Sequence, residues 1–275
     1  PPEVLSPPPG DTAGDGDGNG NGEPGLAPGA GPVDLAAALE AATSTRQRRV
    51  RGLHVTPAWL ADHLVGLVVQ GPGDAPAACD PACGGGAFLL AVARALHREG
   101  VPRRQVVEEM LWGADIDPVG LAAAEAALAI WSGGAVPPAG RLVVGDPLCR
   151  GADLWPDRPA DGFDLVVGNP PFQNQLGRAT ARAAADREAL RLRFGAAVRA
   201  YTDTAWLFLL LGCQVARPGG RVVMVQPDSL AAARDAAAVR HAIASPAAAV
   251  PTTTGTIAAP RVRGRAPRHQ TVMAA

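Results

Sequence analysis

The 275-residue sequence contains no lysine, so all 25 of its basic side chains are arginines. Aromatic residues make up only 4 % of the chain, and any core must therefore be built mainly from Ala, Val and Leu. Cysteine is also scarce. Cys79, Cys83, Cys149 and Cys213 form no C-x-x-C pair and no disulfide framework. Cys79 and Cys83 lie four apart, but no second pair follows at zinc-like spacing, so buried reduced thiols and no metal are expected. No apolar run reaches the length of a membrane span. The first residues are Pro, Gly and acids and not a basic segment leading into an apolar one, which excludes a signal peptide there and implies a cytoplasmic protein without membrane contact. Charge of one sign is missing too: the formal net charge of -1 argues against a purely electrostatic nucleic-acid binder and leaves only local arginine-rich stretches for that role.

What is present divides into three parts. Residues 1–50 read as a disordered or linker segment, because Asp11 to Gly25 holds almost no core-forming side chains; a short helix over 33–42 is the one element expected there. Residues 51–244 alternate short β-branched apolar runs with Ala/Leu-rich amphipathic stretches. That pattern predicts βαβ units in a Rossmann-like α/β fold, a mainly parallel sheet flanked by helices. Thr56 is expected as an N-cap with Pro57 at the first helical position. Residues 245–275 show no periodicity and read as an irregular C-terminal tail.

Three strand ends carry acids. Asp80-Pro81-Ala82-Cys83-Gly84-Gly85-Gly86-Ala87-Phe88 follows a short strand and opens a helix, and its glycines allow positive φ and close approach of the backbone to a ligand. A dinucleotide fold uses such a turn for pyrophosphate. Here an acid opens the turn, which suits a zwitterionic or cationic ligand better. Gly113-Ala114-Asp115-Ile116 ends the next strand, where a carboxylate can accept from ribose hydroxyls. Val143-Val144-Gly145-Asp146 ends the third. Acids at successive carboxyl ends face one crevice, the usual ligand position in open α/β sheets, although Asp is also a common helix cap.

These residues resemble the S-adenosylmethionine-dependent DNA adenine-N6 methyltransferases. Asp80 to Phe88 is similar to the family's loop Asp-Pro-Ala-Cys-Gly-Ser-Gly-Ala-Phe, with Gly85 in place of Ser. The resemblance implies that Asp80, Pro81, Ala82, Gly84, Gly86 and Phe88 line the cofactor site. It implies that Asp115 binds the ribose, Ile116 packs on the cofactor's adenine and Asp146 takes the adenine amino group. Thr56-Pro57 resembles the family's Thr-Pro element beside the methionine carboxylate. The order of these elements, with Asn169-Pro170-Pro171-Phe172 after them, looks like the γ arrangement of type I and IIG restriction–modification systems. The resemblance covers roughly Gly52 to Leu230.

The tetrapeptide follows the apolar run Phe163 to Gly168. An exocyclic adenine amine is a poor nucleophile because its lone pair is delocalised into the ring. The Asn169 side-chain oxygen and the Pro170 carbonyl can accept its two N–H bonds and favour sp3 character, and Asn169 also borders the cofactor. Pro170 and Pro171 stiffen the loop, and Phe172 is expected to stack on a base flipped out of the duplex. DNA is the expected partner, with arginines at 178, 182, 187, 191, 193 and 199 near its path and a specificity or target-recognition subunit as a further partner. No target-recognition segment is recognisable, so C-terminal truncation is expected. Three other readings stay open: a protein-glutamine or RNA methyltransferase, an inactive cofactor-binding remnant, and a nucleotide-dependent oxidoreductase. Asp80 and the Asn-Pro-Pro tetrapeptide count against the last.

Overall fold

The computed structural model describes residues 4–5, 56–69, 76–172, 184–198, 202–244, 253–258 and 269–274. Their strands are β1 (Val4–Leu5), β2 (Ala78–Asp80), β3 (Leu111–Asp115), β4 (Leu142–Val144), β5 (Phe163–Gly168), β6 (Ala216–Pro227), β7 (Thr253–Ala258) and β8 (His269–Ala274). The helices are α1 (Ala58–Gly66), α2 (Ala87–Arg98), α3 (Arg103–Glu109), α4 (Pro118–Ser132), α5 (Pro147–Arg150), α6 (Ala184–Phe194), α7 (Thr204–Val215), α8 (Ser229–Ala232) and α9 (Ala237–Ala244). The strands form one sheet in the order β1-β7-β8-β6-β5-β2-β3-β4. Strands β2 to β6 pair in parallel, and β8 is antiparallel to both β6 and β7.

Period-two alternation sends side chains to two separate cores. Ala78, Leu165, Val167, Val223 and Val225 join the core that holds Leu60, Leu64 and the buried face of α2. Cys79, Val166, Val222 and Met224 join the other core, with Trp155, Trp206 and Leu207. Both faces are covered, as a parallel sheet requires. The few aromatics concentrate in the second core, where Phe163 meets Trp155 edge-on with ring centroids 5.7 Å apart.

The chain winds from β2 outward through β3 and β4, then returns to the opposite side for β5 and β6. The direction therefore reverses between β2 and β5, and in open α/β sheets the crevice outside such a switch point is the ligand site. Asp117, Asp146 and Asp203 begin α4, α5 and α7 by accepting from the backbone N–H two residues on.

Several expectations need correction. Thr56 is not a helix cap: α1 begins after Pro57, no side chain caps it, and the Thr56 hydroxyl is bonded elsewhere. The stretch expected to be an irregular tail contains β7 and β8, which extend the sheet beyond β6. Val4–Leu5, in the segment expected to be disordered, pairs in parallel with β7. Backbone pairing with distant strands supplies the order in each case, and no local apolar pattern announces it. Strand β6 starts at Ala216 and carries Pro218-Gly219-Gly220 as an irregularity against β5; a Cβ at Gly220 would sit 2.8 Å from the Phe163 carbonyl oxygen. The helix expected over 33–42 lies outside the described residues.

Candidate active site

The glycine loop after β2 is held by its own neighbours. Ala82 N–H donates to Asp80 Oδ1 at 3.0 Å, Cys83 N–H to the Ala114 carbonyl at 2.9 Å and Gly86 N–H to the Cys83 carbonyl at 2.8 Å. Gly84 N–H donates to Asp115 Oδ2 at 2.8 Å, which joins the ends of β2 and β3. Four loop amides are thus already committed within the protein. Gly86 has φ +85°, and a Cβ there would lie 2.9 Å from Ala124 Cβ on α4. The glycine permits both the left-handed turn and the close packing of α2 against α4.

Asp80 is 1 % exposed. Burial away from water raises its carboxyl to about 8, opposed by the Ala82 N–H and reinforced by the nearby Asp115 charge. Asp80 also explains Gly168 at the end of β5: a Cβ on that glycine would stand 2.9 Å from Asp80 Oδ1. The acid opening the glycine loop therefore touches the backbone immediately before Asn169. Burial also raises the Asp115 carboxyl, against the N–H bonds from Asp117 and Gly84. Asp115 Oδ1 accepts from Asp117 N–H at 2.8 Å. Asp146 Oδ1 accepts from Leu148 N–H at 2.9 Å and so serves as a helix cap as well as a crevice acid. The thiols of Cys79 and Cys83 lie buried, and desolvation pushes both well above their ordinary range.

On the far side of the switch point, Asn169 opens the tetrapeptide. Its Nδ2 donates to Thr56 Oγ1 at 3.0 Å, bridging 113 residues of sequence. Its Oδ1 is buried and has no hydrogen-bond partner. Pro170 is buried, and Pro171 is half-buried. Phe172 is half-buried and packs against the first core.

The crevice brings together Thr56, Asp80, the glycine loop, Asp115 and Asn169. Ile116 is 67 % exposed beside Asp115, a large apolar side chain left outside the core at the crevice end of β3. The other expected residues differ in exposure. Phe88, the second residue of α2, is 2 % exposed within the first core. Pro57 is exposed at the start of α1, and Pro81 is buried. Ala82 packs against the second core. Of the arginines, Arg187 and Arg191 are exposed on α6, whereas Arg193 is half-buried and donates to the Cys149 carbonyl. Arg178, Arg182 and Arg199 lie outside the described residues.

The sequence reading missed two buried polar side chains on the second-core face. Gln226, near the end of β6, is 0 % exposed with neither amide atom partnered, and Trp206 Nε1 on α7 is also unpartnered. A glutamine inside a strand that otherwise reads Val-Val-Met-Val was the available signal.

The sequence matches the N-6 DNA methylase family over residues 39–247, most of its length. The chain belongs to this family. Its members transfer a methyl group from S-adenosylmethionine to the N6 amine of adenine in DNA. No curated protein matches the methylase chain significantly. Among solved structures, it is similar to a protein assigned as a class I S-adenosylmethionine-dependent methyltransferase from Listeria monocytogenes (19 % identity, TM-score 0.57, covering 89 % of this chain and 68 % of that one). It is similar to the type I restriction–modification methyltransferase subunit from Streptococcus thermophilus (19 % identity, TM-score 0.59, 88 % of this chain and 49 % of that one). It also resembles the protein of a DrdV–DNA complex (15 % identity, TM-score 0.65, 88 % and 28 %). At these identities the likeness establishes the class I methyltransferase fold, and the chain spans half or less of the last two proteins. Among the described residues no helix is long and apolar enough to cross a membrane.

The residues present fit the family's cofactor. The exposed Ile116 offers an apolar face to a ring, and buried Asp80 and half-buried Asp115 offer acids to a cation and a sugar.

Proposed function

We propose that this chain methylates the N6 amine of adenine in DNA and that Asn169 is its central catalytic residue. The observation that carries the proposal is the buried Oδ1 of Asn169, which lacks a partner at the switch point of the sheet. A buried carbonyl oxygen without a donor costs about 1–3 kcal/mol, a cost that a ligand N–H would remove.

S-adenosylmethionine, when bound, supplies an electrophilic methyl group on a positively charged sulfur. Asp80, Gly84, Gly86, Asp115, Ile116 and Asp146 are the residues we assign to hold it. The Asn169 Oδ1 and the Pro170 carbonyl would accept hydrogen bonds from the two amine N–H groups and aim the nitrogen lone pair at the methyl carbon; the methylated nitrogen then releases one proton to solvent. Orientation of this kind contributes several kcal/mol, within the roughly 7–11 kcal/mol available from positioning. Pro170 and Pro171 hold the loop to one geometry. Phe172 stacks on the flipped base, worth about 1–3 kcal/mol. Asp80 is poised to lose its proton when a cationic ligand centre enters the crevice. DNA phosphates would run across exposed Arg187 and Arg191, with sequence recognition supplied by a specificity subunit or target-recognition segment.

The test is incubation with S-adenosylmethionine and DNA, followed by mass spectrometry of the nucleosides. N6-methyladenine is expected. Methyl transfer to RNA or to glutamine side chains in its place would overturn the DNA assignment.

A further inference from the structure

A terminal carboxamide is nearly symmetric in shape, and half a turn about its last bond exchanges an acceptor for two donors. For Asn169 the difference is decisive. With Oδ1 toward the crevice the side chain accepts from an amine nucleophile. With Nδ2 there it would set donor against donor. Packing cannot choose between two groups of the same size, so a hydrogen bond must.

We propose that Thr56 is the positioning residue that makes this choice, a role that rests on the methyl-transfer reading of Asn169. Its hydroxyl oxygen accepts from Nδ2 at 3.0 Å, which leaves Oδ1 as the unpartnered end. A hydroxyl can also donate, and in that state it would hold the amide the wrong way round. The Thr56 hydroxyl proton has no acceptor among the described residues, so it is free for solvent or for a ligand oxygen in the crevice. The support beneath Thr56 is rigid: α1 follows two residues later and anchors through Leu60, Ala61, Leu64 and Val65 in the first core. This role differs from a simple contact to the cofactor's carboxylate, because it acts through Asn169.

Two measurements on the full chain test it. Thr56→Val keeps the shape and removes the hydroxyl, whereas Thr56→Ser keeps the hydroxyl. Thr56→Val is expected to lower kcat for DNA methylation roughly 10- to 100-fold, while S-adenosylmethionine affinity measured by calorimetry stays within about threefold and Thr56→Ser restores kcat. Weakened cofactor affinity with kcat near wild type would overturn the proposal and leave Thr56 as a cofactor contact. The second measurement does not depend on activity. The chain has only four asparagines, at 19, 21, 169 and 174, so labelling them with nitrogen-15 makes the Asn169 side-chain amide observable, assigned by its loss in Asn169→Ala. Its hydrogen-bonded proton is expected to be shifted and protected in wild type and Thr56→Ser, and to lose both features in Thr56→Val. An amide signal identical in wild type and Thr56→Val would overturn the proposal whatever the activity. A Thr56-dependent signal in a protein that does not methylate DNA would overturn the methyl-transfer reading and not the positioning contact.

Discussion

The ends of β2, β3 and β4 differ from the ends of β5 and β6 in how they treat polar groups. In the first region each acid is engaged by nearby backbone: Asp80 by Ala82, Asp115 by Gly84 and Asp117, Asp146 by Leu148. These carboxylates build the loops as well as face the crevice. In the second region polar atoms are buried and left alone: Asn169 Oδ1, both amide atoms of Gln226 and Trp206 Nε1. Buried polar groups are nearly always hydrogen-bonded in folded proteins, and the unpartnered Asn169 Oδ1 at the switch point is the one on which the proposed reading rests. The first region is held by its own backbone, and the second leaves Asn169 Oδ1 without a donor.

The largest expected effect in the first region comes from Asp80. Its folded carboxyl titrates near 8, whereas an unfolded aspartate titrates near ~4. Between those values the folded state keeps a proton that the unfolded chain has lost. The stabilising contribution is complete below about pH 4 and declines as pH rises toward about 8, by up to roughly 1.4 kcal/mol per unit. Urea denaturation of the ligand-free protein should therefore show lower stability at pH 8 than at pH 6, and Asp80→Asn should flatten that slope. Equal slopes in the two proteins would show that Asp80 is ionised throughout.

Gly86→Ala tests the preformed loop next. It places a side chain at φ +85° and a Cβ 2.9 Å from Ala124. Left-handed strain and overpacking together should lower stability by about 2–3 kcal/mol and weaken cofactor binding, as read by thermal denaturation and calorimetry. Unchanged values would mean that the loop is adaptable and not preformed.

The smallest effect sharpens the other side of the comparison. Gln226→Leu removes two unpartnered buried polar atoms from a strand of apolar neighbours. It should raise Tm by roughly 2–4 °C, the size expected for about 1 kcal/mol in a chain of this length. A lower Tm would show that Gln226 has a partner in solution.

Much of this arrangement is readable from the residues themselves. The apolar runs that end in Asp80, Asp115, Asp146 and Asn169 announce β2 to β5; for β2, β3 and β5 the reason is that a strand buried on both faces needs continuous apolar sequence. The glycine loop and the tetrapeptide are local motifs and are legible for the same reason. Strands β7 and β8 are not legible, since Thr-Thr-Gly-Thr-Ile-Ala and His-Gln-Thr-Val-Met-Ala are short, half polar and ordered by antiparallel pairing onto β6. Phe88, in the same loop motif, is buried in the first core, which its apolar side chain already suggests. The Thr56–Asn169 contact spans too much sequence for any local pattern to reveal.

The central claim concerns one oxygen atom, and the most direct measurement is the single-turnover rate of methyl transfer to DNA adenine by wild type and Asn169→Ala at saturating cofactor. The account predicts a loss of about 100-fold or more in rate, similar to removing one preorganised polar group from an active site, with cofactor affinity nearly unchanged. A variant that methylates at the wild-type rate would contradict it.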